Sequence, residues 1–414
     1  MAVAVERDDR VLVPFAALAA RYAAFLRQPD VARILALTFV ARMPVGTLTL
    51  SMLLHVRALT GSFAVAGGVV GAYLTASALS APFVGRWVDR RGAVAPLALT
   101  GALYPLAIGV LLVADVLGLS FAAMHVAAVA AGVFAPPIVG ITRTMLRQRF
   151  TDEQVRRTAF ALDAVLVEMV FTVGPLLVAA MLAFASPRAA LAMAWCFALA
   201  SVPAFALSRA LRYLRTDRHT ERSLLGPIAD RRLLGIYALT IVIAMGFGAF
   251  EVGYPGFGIA LGATSIGGVL IAVNSVGSAL GGLAYGGLHV GLSPQRIAPR
   301  LLAAMVVPLA LHAVTLNLAI LCVLAFLTGA LIAPALTSVM LMISAHAPVR
   351  YATEAFTWSS TCILSGLGIG TIVAGRIVDT HGPQATMLFG ACTMAMAAIV
   401  AAIVARHLPE TATP

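Results

Sequence analysis

The sequence predicts an all-α membrane protein with twelve transmembrane helices in two six-helix bundles, and three observations support this prediction. Apolar side chains make up 61% and charged ones only 11% of the 414 residues, with a mean hydropathy of +0.98, which lies outside the range of soluble domains. A spanning helix needs about 20 mostly apolar residues, and the chain offers twelve such stretches. One long polar segment divides these stretches six and six.

The twelve spans are separated by short charged or Gly/Pro-rich breaks. In the first half they are predicted at 31–56, 64–86, 93–115, 119–145, 158–184 and 188–210. In the second half they are predicted at 233–257, 265–288, 298–315, 318–343, 355–378 and 383–406. Before the first span, residues 10–29 carry apolar side chains at helical spacing with arginines at the edges, which predicts a helix lying on the membrane surface.

The predicted domain organisation follows from these spans. Residues 1–30 form an N-terminal segment with the interfacial helix, 31–210 the first bundle, 211–232 a polar linker, 233–406 the second bundle and 407–414 a tail. The two bundles repeat each other in sequence: ALTFVARMPVG from Ala36 matches ALTIVIAMGFG from Ala238. Six-helix halves related by repetition are typical of transporters.

The distribution of arginine predicts the orientation in the membrane, because cytoplasmic loops retain positive charge. With both termini inside, 23 arginines fall on the cytoplasmic side, and only Arg57, Arg188 and Arg376 fall outside. The net charge of +11 is thereby explained by membrane orientation, and no nucleic-acid partner is implied. The Lys-free, Ala- and Arg-rich composition favours a bacterial source, and thus a plasma membrane.

The composition also argues against an enzyme. Every basic residue is Arg, so the chain lacks the lysine of a phosphate-binding loop or of a Schiff base. Neither H-E-x-x-H nor G-x-S-x-G occurs, and the four cysteines are scattered singly through apolar stretches. We therefore expect no catalytic residues, no cofactor and no metal site.

The loop after the second span carries the motif GRWVDRRG, from Gly85 to Gly92, in which Asp89 and Arg90 lie between the two glycines. This segment resembles the loop 2–3 motif of the major facilitator superfamily, although the basic pair usual after the second glycine is absent. With the twelve spans, the basic linker and the repeated halves, the resemblance covers essentially the whole chain. It implies a monomeric secondary transporter that works by alternating access.

The resemblance also implies a role for this motif as a gate. Gly85 and Gly92 would allow a tight turn and close helix approach. Asp89 would face the positive N-terminal end of the eleventh helix near Glu354 and close the cytoplasmic side. Arg90 would take a neighbouring acid or carbonyl.

A second segment, GRIVDTHG from Gly375, has a similar pattern at the opposite end of the eleventh span. Because it falls on the outside, we interpret the similarity as coincidence plus a turn. We expect Arg376, Asp379 and His381 to form a solvated extracellular cap.

Charged side chains inside the membrane are costly and usually face a cavity or a partner. Arg42 and Glu168 share a depth in the first and fifth helices and are predicted to pair. Arg143 and Asp163, near the inner ends of the fourth and fifth helices, are a second candidate pair. Glu168 and Glu251 are candidates for carrying a proton, and a static ion pair or a wet cavity wall is the alternative.

Glycine and proline mark three further features of the spans. Gly174-Pro175 in the fifth helix resembles the core of the superfamily's antiporter motif, and an ordinary proline kink is the alternative. The segment from Gly253 through Pro255 is expected to break the seventh helix. Three GxxxG pairs are expected to allow close contact at the seam between the halves: Gly67/Gly71, Gly277/Gly281 and Gly366/Gly370.

These features predict a secondary transporter, most simply one that exports a small amphipathic or sugar-like molecule in exchange for protons. Uptake of a small metabolite by proton symport uses the same fold and the same acids, and it stays open. A membrane receptor built on a transporter fold is the alternative from a different class. The expected partners are a small-molecule substrate, protons and the lipid bilayer.

Overall fold

A computed structural model of the chain describes residues 25–150, 152–214, 230–287, 293–347 and 352–408. Most of the predicted interfacial helix at 10–29 and most of the linker 211–232 lie outside these ranges. The side chains of Asp89, Glu168 and Glu354 are also outside the description, although their helices are within it. The description therefore covers the spans and most of the turns between them.

The described residues are almost entirely helical. The first half contains α1 (Val31–Thr60), α2 (Phe63–Arg91), α3 (Val94–Leu112), α4a (Phe121–Val133), α4b (Ile138–Arg149), α5 (Glu153–Phe184) and α6 (Pro187–Leu207). The second half contains α7 (Arg231–Ala260), α8 (Ser265–Gly287), α9 (Pro294–Leu311), α10 (Leu318–His346) and a last helix, Ala352–His407. We call the face at which α1 begins the inner face and that of the α1–α2 turn the outer face.

The last helix is two spans joined by a turn. Its backbone is non-helical at Gly382, with φ 82° and ψ 176°, so we label 352–381 α11 and 383–407 α12. Both ends of the pair lie beside the start of α7: the Tyr237 hydroxyl donates to the Ala355 carbonyl, and Gly235 packs on Val404. Eleven described helices are long and apolar enough to cross a membrane, and the last of them is 53 residues long. Since that helix folds back on itself, the twelve predicted spans are confirmed.

Polar side chains at the helix starts explain where many spans begin. The first backbone N–H groups of a helix have no partner within it, and Ser, Asp and Asn side chains accept from them. Such caps are present in the described turns at Ser62, Ser120, Asp152, Ser186, Asp230 and Asn317. Gly61 ends α1 with φ 73°, a conformation that glycine adopts without strain.

Prolines interrupt one predicted helix, whereas another helix continues through its proline. The fourth span was expected to be continuous, but α4a ends at Val133 and α4b begins at Ile138, because Pro136 and Pro137 lack N–H donors and disfavour helical geometry in the preceding residue. The expected break of the seventh helix is wrong, since α7 runs unbroken through Pro255. Its glycines serve close packing instead: Gly253 lies against Met387 of α12.

The hydrophobic cores follow the two halves, with one exception. A single cluster in the second half extends from Leu233 to Leu408 and contains only residues of that half. The core of the outer part of the first half also takes in Val252 of α7 and Ala374 and Val378 of α11. Residues of the second half therefore pack into the first half near the outer face.

Candidate functional site

Three buried or half-buried charges of the first half form one cluster. Asp163 of α5 lies between two arginines: its Oδ1 is 2.6 Å from Nη2 of Arg42 in α1, and its Oδ2 accepts a hydrogen bond from Nε of Arg143 in α4b at 3.2 Å. The Arg42 and Asp163 side chains are 1% and 2% exposed, whereas that of Arg143 is 53% exposed. The cluster ties three helices together in the inner half of the first bundle.

The predicted pairing of Arg143 with Asp163 is present, but the division of the charges into two separate pairs was wrong. Arg42 contacts Asp163, which serves both arginines. The partner predicted for Arg42, Glu168, has a side chain outside the described part of the chain. Sequence depth alone could not show this arrangement, because it depends on how α1 and α4b rotate toward α5.

Glu251 in α7 is a carboxylate of a different kind. Among the described residues it has no ion pair and no hydrogen-bond partner. It lies near the seam between the halves, because the next residue, Val252, packs in the first-half core. Within the described ranges, no group of three His, Cys, Asp or Glu side chains is suited to hold a metal ion.

Gly174-Pro175 lies where three helices cross. A Cβ atom on Gly174 would overlap the backbone of Gly46 in α1, and the Pro175 carbonyl lies against Gly268 of α8. Helix α5 continues through Pro175 without a non-helical residue. The dipeptide therefore brings α5 close to its own half on one side and to the other half on the other side.

Helices α2 and α11 form a second close contact between the halves, and they run antiparallel. Gly67 packs on the Thr371 backbone, and Gly71 packs on Gly368. Further in, the Thr361 hydroxyl donates to the Ala78 carbonyl at 3.4 Å. The seam is thus closed from the outer face to about the middle of α2.

Only one of the three GxxxG pairs serves this seam. Gly67/Gly71 contacts the other half, as expected. The expectation is wrong for the other two pairs, which pack inside the second half. Gly277 and Gly281 lie on α10 at Phe326 and Ala330, and Gly366 and Gly370 lie on α7 at Ile241 and Met245.

The predicted gating motif ends α2 at the inner face. Gly92 makes the expected turn, with φ 82°. The expected close approach at Gly85 stays a prediction: no atom of the described residues lies within 4 Å of a Cβ placed there, and residues 348–351 before α11 are outside the description. Arg90 is exposed, and the contact of Asp89 with α11 stays a prediction because its side chain is outside the description.

The second, motif-like segment makes the contact that we did not expect of it. Asp379 of α11 accepts three hydrogen bonds at the start of α2, from the Ser62 hydroxyl at 2.5 Å, the Phe63 N–H at 2.8 Å and the Ala64 N–H at 2.7 Å. Asp379 is exposed at the outer face, as a solvated cap requires, and the contact with α2 is an addition that the prediction did not include. The repeated octapeptide was the signal in the sequence that could have found this contact.

Twelve spans in two six-helix bundles, with charges buried in the spans and close contacts along the seam, define a membrane transporter fold. The chain belongs to the Major Facilitator Superfamily, whose family model matches residues 34–313. No curated protein sequence gave a match.

Solved structures show the same fold at low identity. The nucleoside transporter NupG has a TM-score of 0.70 at 13% identity, with 91% of this chain and 99% of that chain covered. The POT family transporter PepTSo has a TM-score of 0.68 at 12% identity, covering 94% and 98%. A peptide transporter POT has a TM-score of 0.68 at 10% identity, covering 90% and 94%.

Proposed function

We propose that the protein exports a small amphipathic or sugar-like molecule in exchange for protons, by alternating access between the bundles 31–210 and 233–406. The observation that carries the proposal is Glu251, a carboxylate in the outer half of α7 that has no described partner and lies near the seam between the halves. A lone charge in a membrane span is costly. The cost falls when the carboxylate binds a proton, so Glu251 is suited to bind one in one state and release it in another.

Asp163 is the less suitable proton carrier of the first half. Two arginines contact its carboxylate, and loss of its charge would leave Arg42 buried without a partner. We therefore assign Arg42, Asp163 and Arg143 a structural role in holding α1, α4b and α5 together. The half-exposed Arg143 is the member of this cluster that a substrate can reach.

Glu168 is the second proposed carrier, on the basis of its position in α5. It precedes Pro175 and Ala179 by seven and eleven residues, which are about two and three helical turns. These two residues contact Gly268 of α8. Position 168 therefore shares the face of α5 that is directed at the other half, and lies closer to the inner face.

The proposal of export over uptake rests on the Gly174-Pro175 pair at the α1–α5–α8 crossing. The Gly174-Pro175 pair, which resembles the core of the antiporter motif, brings α5 against both Gly46 and Gly268. Close backbone packing at this crossing would keep the outer side closed while substrate binds from the inner side. Proton symport in the uptake direction remains the second candidate.

The protein is proposed to work as a monomer in a plasma membrane with both termini in the cytoplasm. The arginine count supports this orientation, and the six helices of each half return the chain to the inner face. A C-terminal fusion to green fluorescent protein should fluoresce, while a fusion to alkaline phosphatase, which folds only outside the cytoplasm, should be inactive. The opposite pattern would reverse the proposed direction of transport.

The central test is flux in proteoliposomes that contain a pH-sensitive dye and an imposed proton gradient. The compounds tested should include cationic dyes, antibiotics and sugars, together with nucleosides and dipeptides because structural neighbours are named as transporters of these classes. We expect at least one compound to dissipate the gradient. The direction in which the compound moves relative to the protons separates exchange from symport.

Matched carboxylate variants make this test specific. Glu251→Gln should abolish the compound-driven proton flux, and Glu168→Gln should abolish or strongly reduce it. Asp115→Asn is the control, because Asp115 pairs with Arg188 at the outer face, within one half and away from the seam. If Glu251→Gln shows the same compound-driven proton flux as the control, Glu251 is not the proton carrier. A folded protein that gives no flux with any compound would favour the alternative of a membrane receptor built on a transporter fold.

A further inference from the structure

Three polar side chains from different helices meet inside the outer half of the second bundle. Tyr254 of α7 and His312, directly after α9, are fully buried, and their ring centroids are 5.8 Å apart. The Asn274 side chain of α8 lies near the Tyr254 hydroxyl. Since Tyr254 is a member of the apolar core of the second half, these side chains bring polar atoms into an otherwise apolar region. We call the three residues the polar triplet.

The neighbours of the polar triplet fix its hydrogen-bond roles. Nδ1 of His312 lies 2.7 Å from the Pro308 carbonyl. A carbonyl oxygen only accepts, so we assign the proton of the neutral ring to Nδ1 and an acceptor lone pair to Nε2. Nδ2 of Asn274 donates to the Ala325 carbonyl at 3.0 Å, which leaves Oδ1 free to accept. The Tyr254 hydroxyl can therefore donate, whereas Nε2 of His312 and Oδ1 of Asn274 can accept.

The polar triplet does not complete its own hydrogen bonds. Among the described residues, neither the Tyr254 hydroxyl nor Nε2 of His312 has a hydrogen-bond partner. Buried polar groups are nearly always paired with protein or ordered water, because an unpaired group is costly. A water molecule that accepts from Tyr254 and donates to His312 would pair both groups. The arrangement indicates a water site inside the second bundle.

The polar triplet lies between Glu251 and the outer face. Tyr254 follows Glu251 by three residues, so the two are neighbours on the surface of α7. Helical side chains lean toward the N-terminus of their helix, which directs Tyr254 back to the level of Glu251. His312 also contacts the ring of Phe257, closer to the outer end of α7. Two residues after His312, Val314 is exposed in the turn before α10.

We propose that the polar triplet conducts protons between the outer face and Glu251, a role that rests on the proposed function of Glu251 as the proton carrier. Nε2 of His312 accepts a proton from water at the outer turn and passes it through the internal water to the Tyr254 oxygen. The hydroxyl proton of Tyr254 leaves for the Glu251 carboxylate. Oδ1 of Asn274 orients the hydroxyl between these transfers.

The surroundings of the polar triplet do not trap the proton. Apart from Glu251 one turn away, no other titratable or charged side chain of the described residues interacts with Tyr254 or His312. Their neighbours from α7, α8 and α9 are the Phe257 ring, the Asn274 amide and the Pro308 carbonyl. A positive charge on His312 has no acid beside it, so the proton moves on to the carboxylate.

This route lies within one bundle, apart from the path of a substrate between the bundles. Near the outer face, the halves are in contact where Gly67 packs on the Thr371 backbone. A route inside the second bundle does not require that contact to open. Glu251 can therefore exchange protons with the outer side while the halves stay closed there.

Carbodiimide labelling tests the route without any substrate. An apolar carbodiimide reacts with a protonated carboxyl group, and mass spectrometry measures the fraction of Glu251 that is modified. In membrane vesicles with the outer face toward the medium and an alkaline buffer inside, acidifying the medium should raise this fraction. Tyr254→Phe and His312→Leu should each lose the response. Tyr104→Phe is the matched control, because it removes a buried hydroxyl that pairs with Tyr73 inside the first half.

Acid on each side of the membrane separates the route from the carrier. Acidifying the vesicle interior should raise the labelling of Glu251 in the parent protein and in Tyr254→Phe alike, because the carrier also exchanges protons with the inner side. The route is wrong if the parent protein does not respond to external acid, or if Tyr254→Phe and His312→Leu respond as the parent does. If acid on neither side leads to labelling, Glu251 is not the carrier and both proposals fail. Thermal melting confirms that each variant is folded.

Discussion

The Arg42 guanidinium and the Asp163 carboxylate form a fully buried ion pair, with Nη2 2.6 Å from Oδ1. No hydrogen-bond partner among the described residues satisfies the remaining nitrogens of Arg42. The contact with Asp163 is therefore the one described polar contact that stabilises the buried Arg42 charge. A buried pair of this kind adds little net stability over apolar residues, but breaking it is costly because the remaining charge stays buried.

Asp163→Asn should therefore destabilise the protein strongly. It removes the charge that both Arg42 and Arg143 contact, and we expect a loss of about 3–5 kcal/mol in the free energy of unfolding. Denaturant titration in detergent, followed by tryptophan fluorescence, measures the loss. The exposed pair Asp115–Arg188 is the control, because Asp115→Asn should cost at most about 1 kcal/mol. Equal effects in the two variants would show that the Asp163 cluster is not a structural ion pair.

Replacing both partners of the buried pair should recover much of the lost stability. The double variant Arg42→Met with Asp163→Leu leaves no uncompensated charge between α1 and α5, although Arg143 loses its partner at a half-exposed position. We expect it to be more stable than Asp163→Asn alone. A double variant less stable than both single variants would contradict this account.

Glu251→Gln should separate stability from function. No described ion pair or hydrogen bond is lost, so the variant should be at least as stable as the parent protein, while proton-driven flux is lost. Functional groups are commonly retained at a cost in stability. The measurement is the melting temperature at pH 8, where the free-energy cost of keeping an ionised carboxylate in the membrane span is largest. A clear loss of stability in Glu251→Gln would show that Glu251 has a structural partner, contrary to the proposal.

The spans could be read from the sequence, and the contacts between them only in part. Apolar runs and capping residues are local signals, so predicted and observed helix bounds agree closely. The Arg143–Asp163 pair was accessible because its helices are consecutive. The Arg42–Asp163 contact requires helix rotations that hydropathy does not encode. The Asp379 contact at Ser62 joins residues 317 apart, and only the repeated octapeptide gave a sign of it.

Gly174→Ala should disrupt the crossing of α1 and α5. The added methyl group would overlap the backbone of Gly46, and backbone cannot move aside as a flexible side chain can. We expect a loss of about 1–3 kcal/mol in the free energy of unfolding. Gly140→Ala in α4b is the control, since a methyl group there meets no described atom within 4 Å and alanine favours the helix. Similar losses in both variants would mean that the crossing is not tightly packed.

Gly85→Leu should trap the protein with its inner side open. No atom of the described residues lies within 4 Å of a Cβ at Gly85, so we expect this structure to accommodate the side chain. When the inner side closes, the α2–α11 register brings position 354 opposite this side chain, and the leucine would hold the helices apart. We expect normal thermal stability and loss of transport in the proteoliposome assay. Gly140→Leu, at another helical glycine of the first half with no described atom within 4 Å of an added Cβ, should transport at the parent rate. Transport at the parent rate in Gly85→Leu would show that α2 and α11 do not meet in this register when the inner side closes.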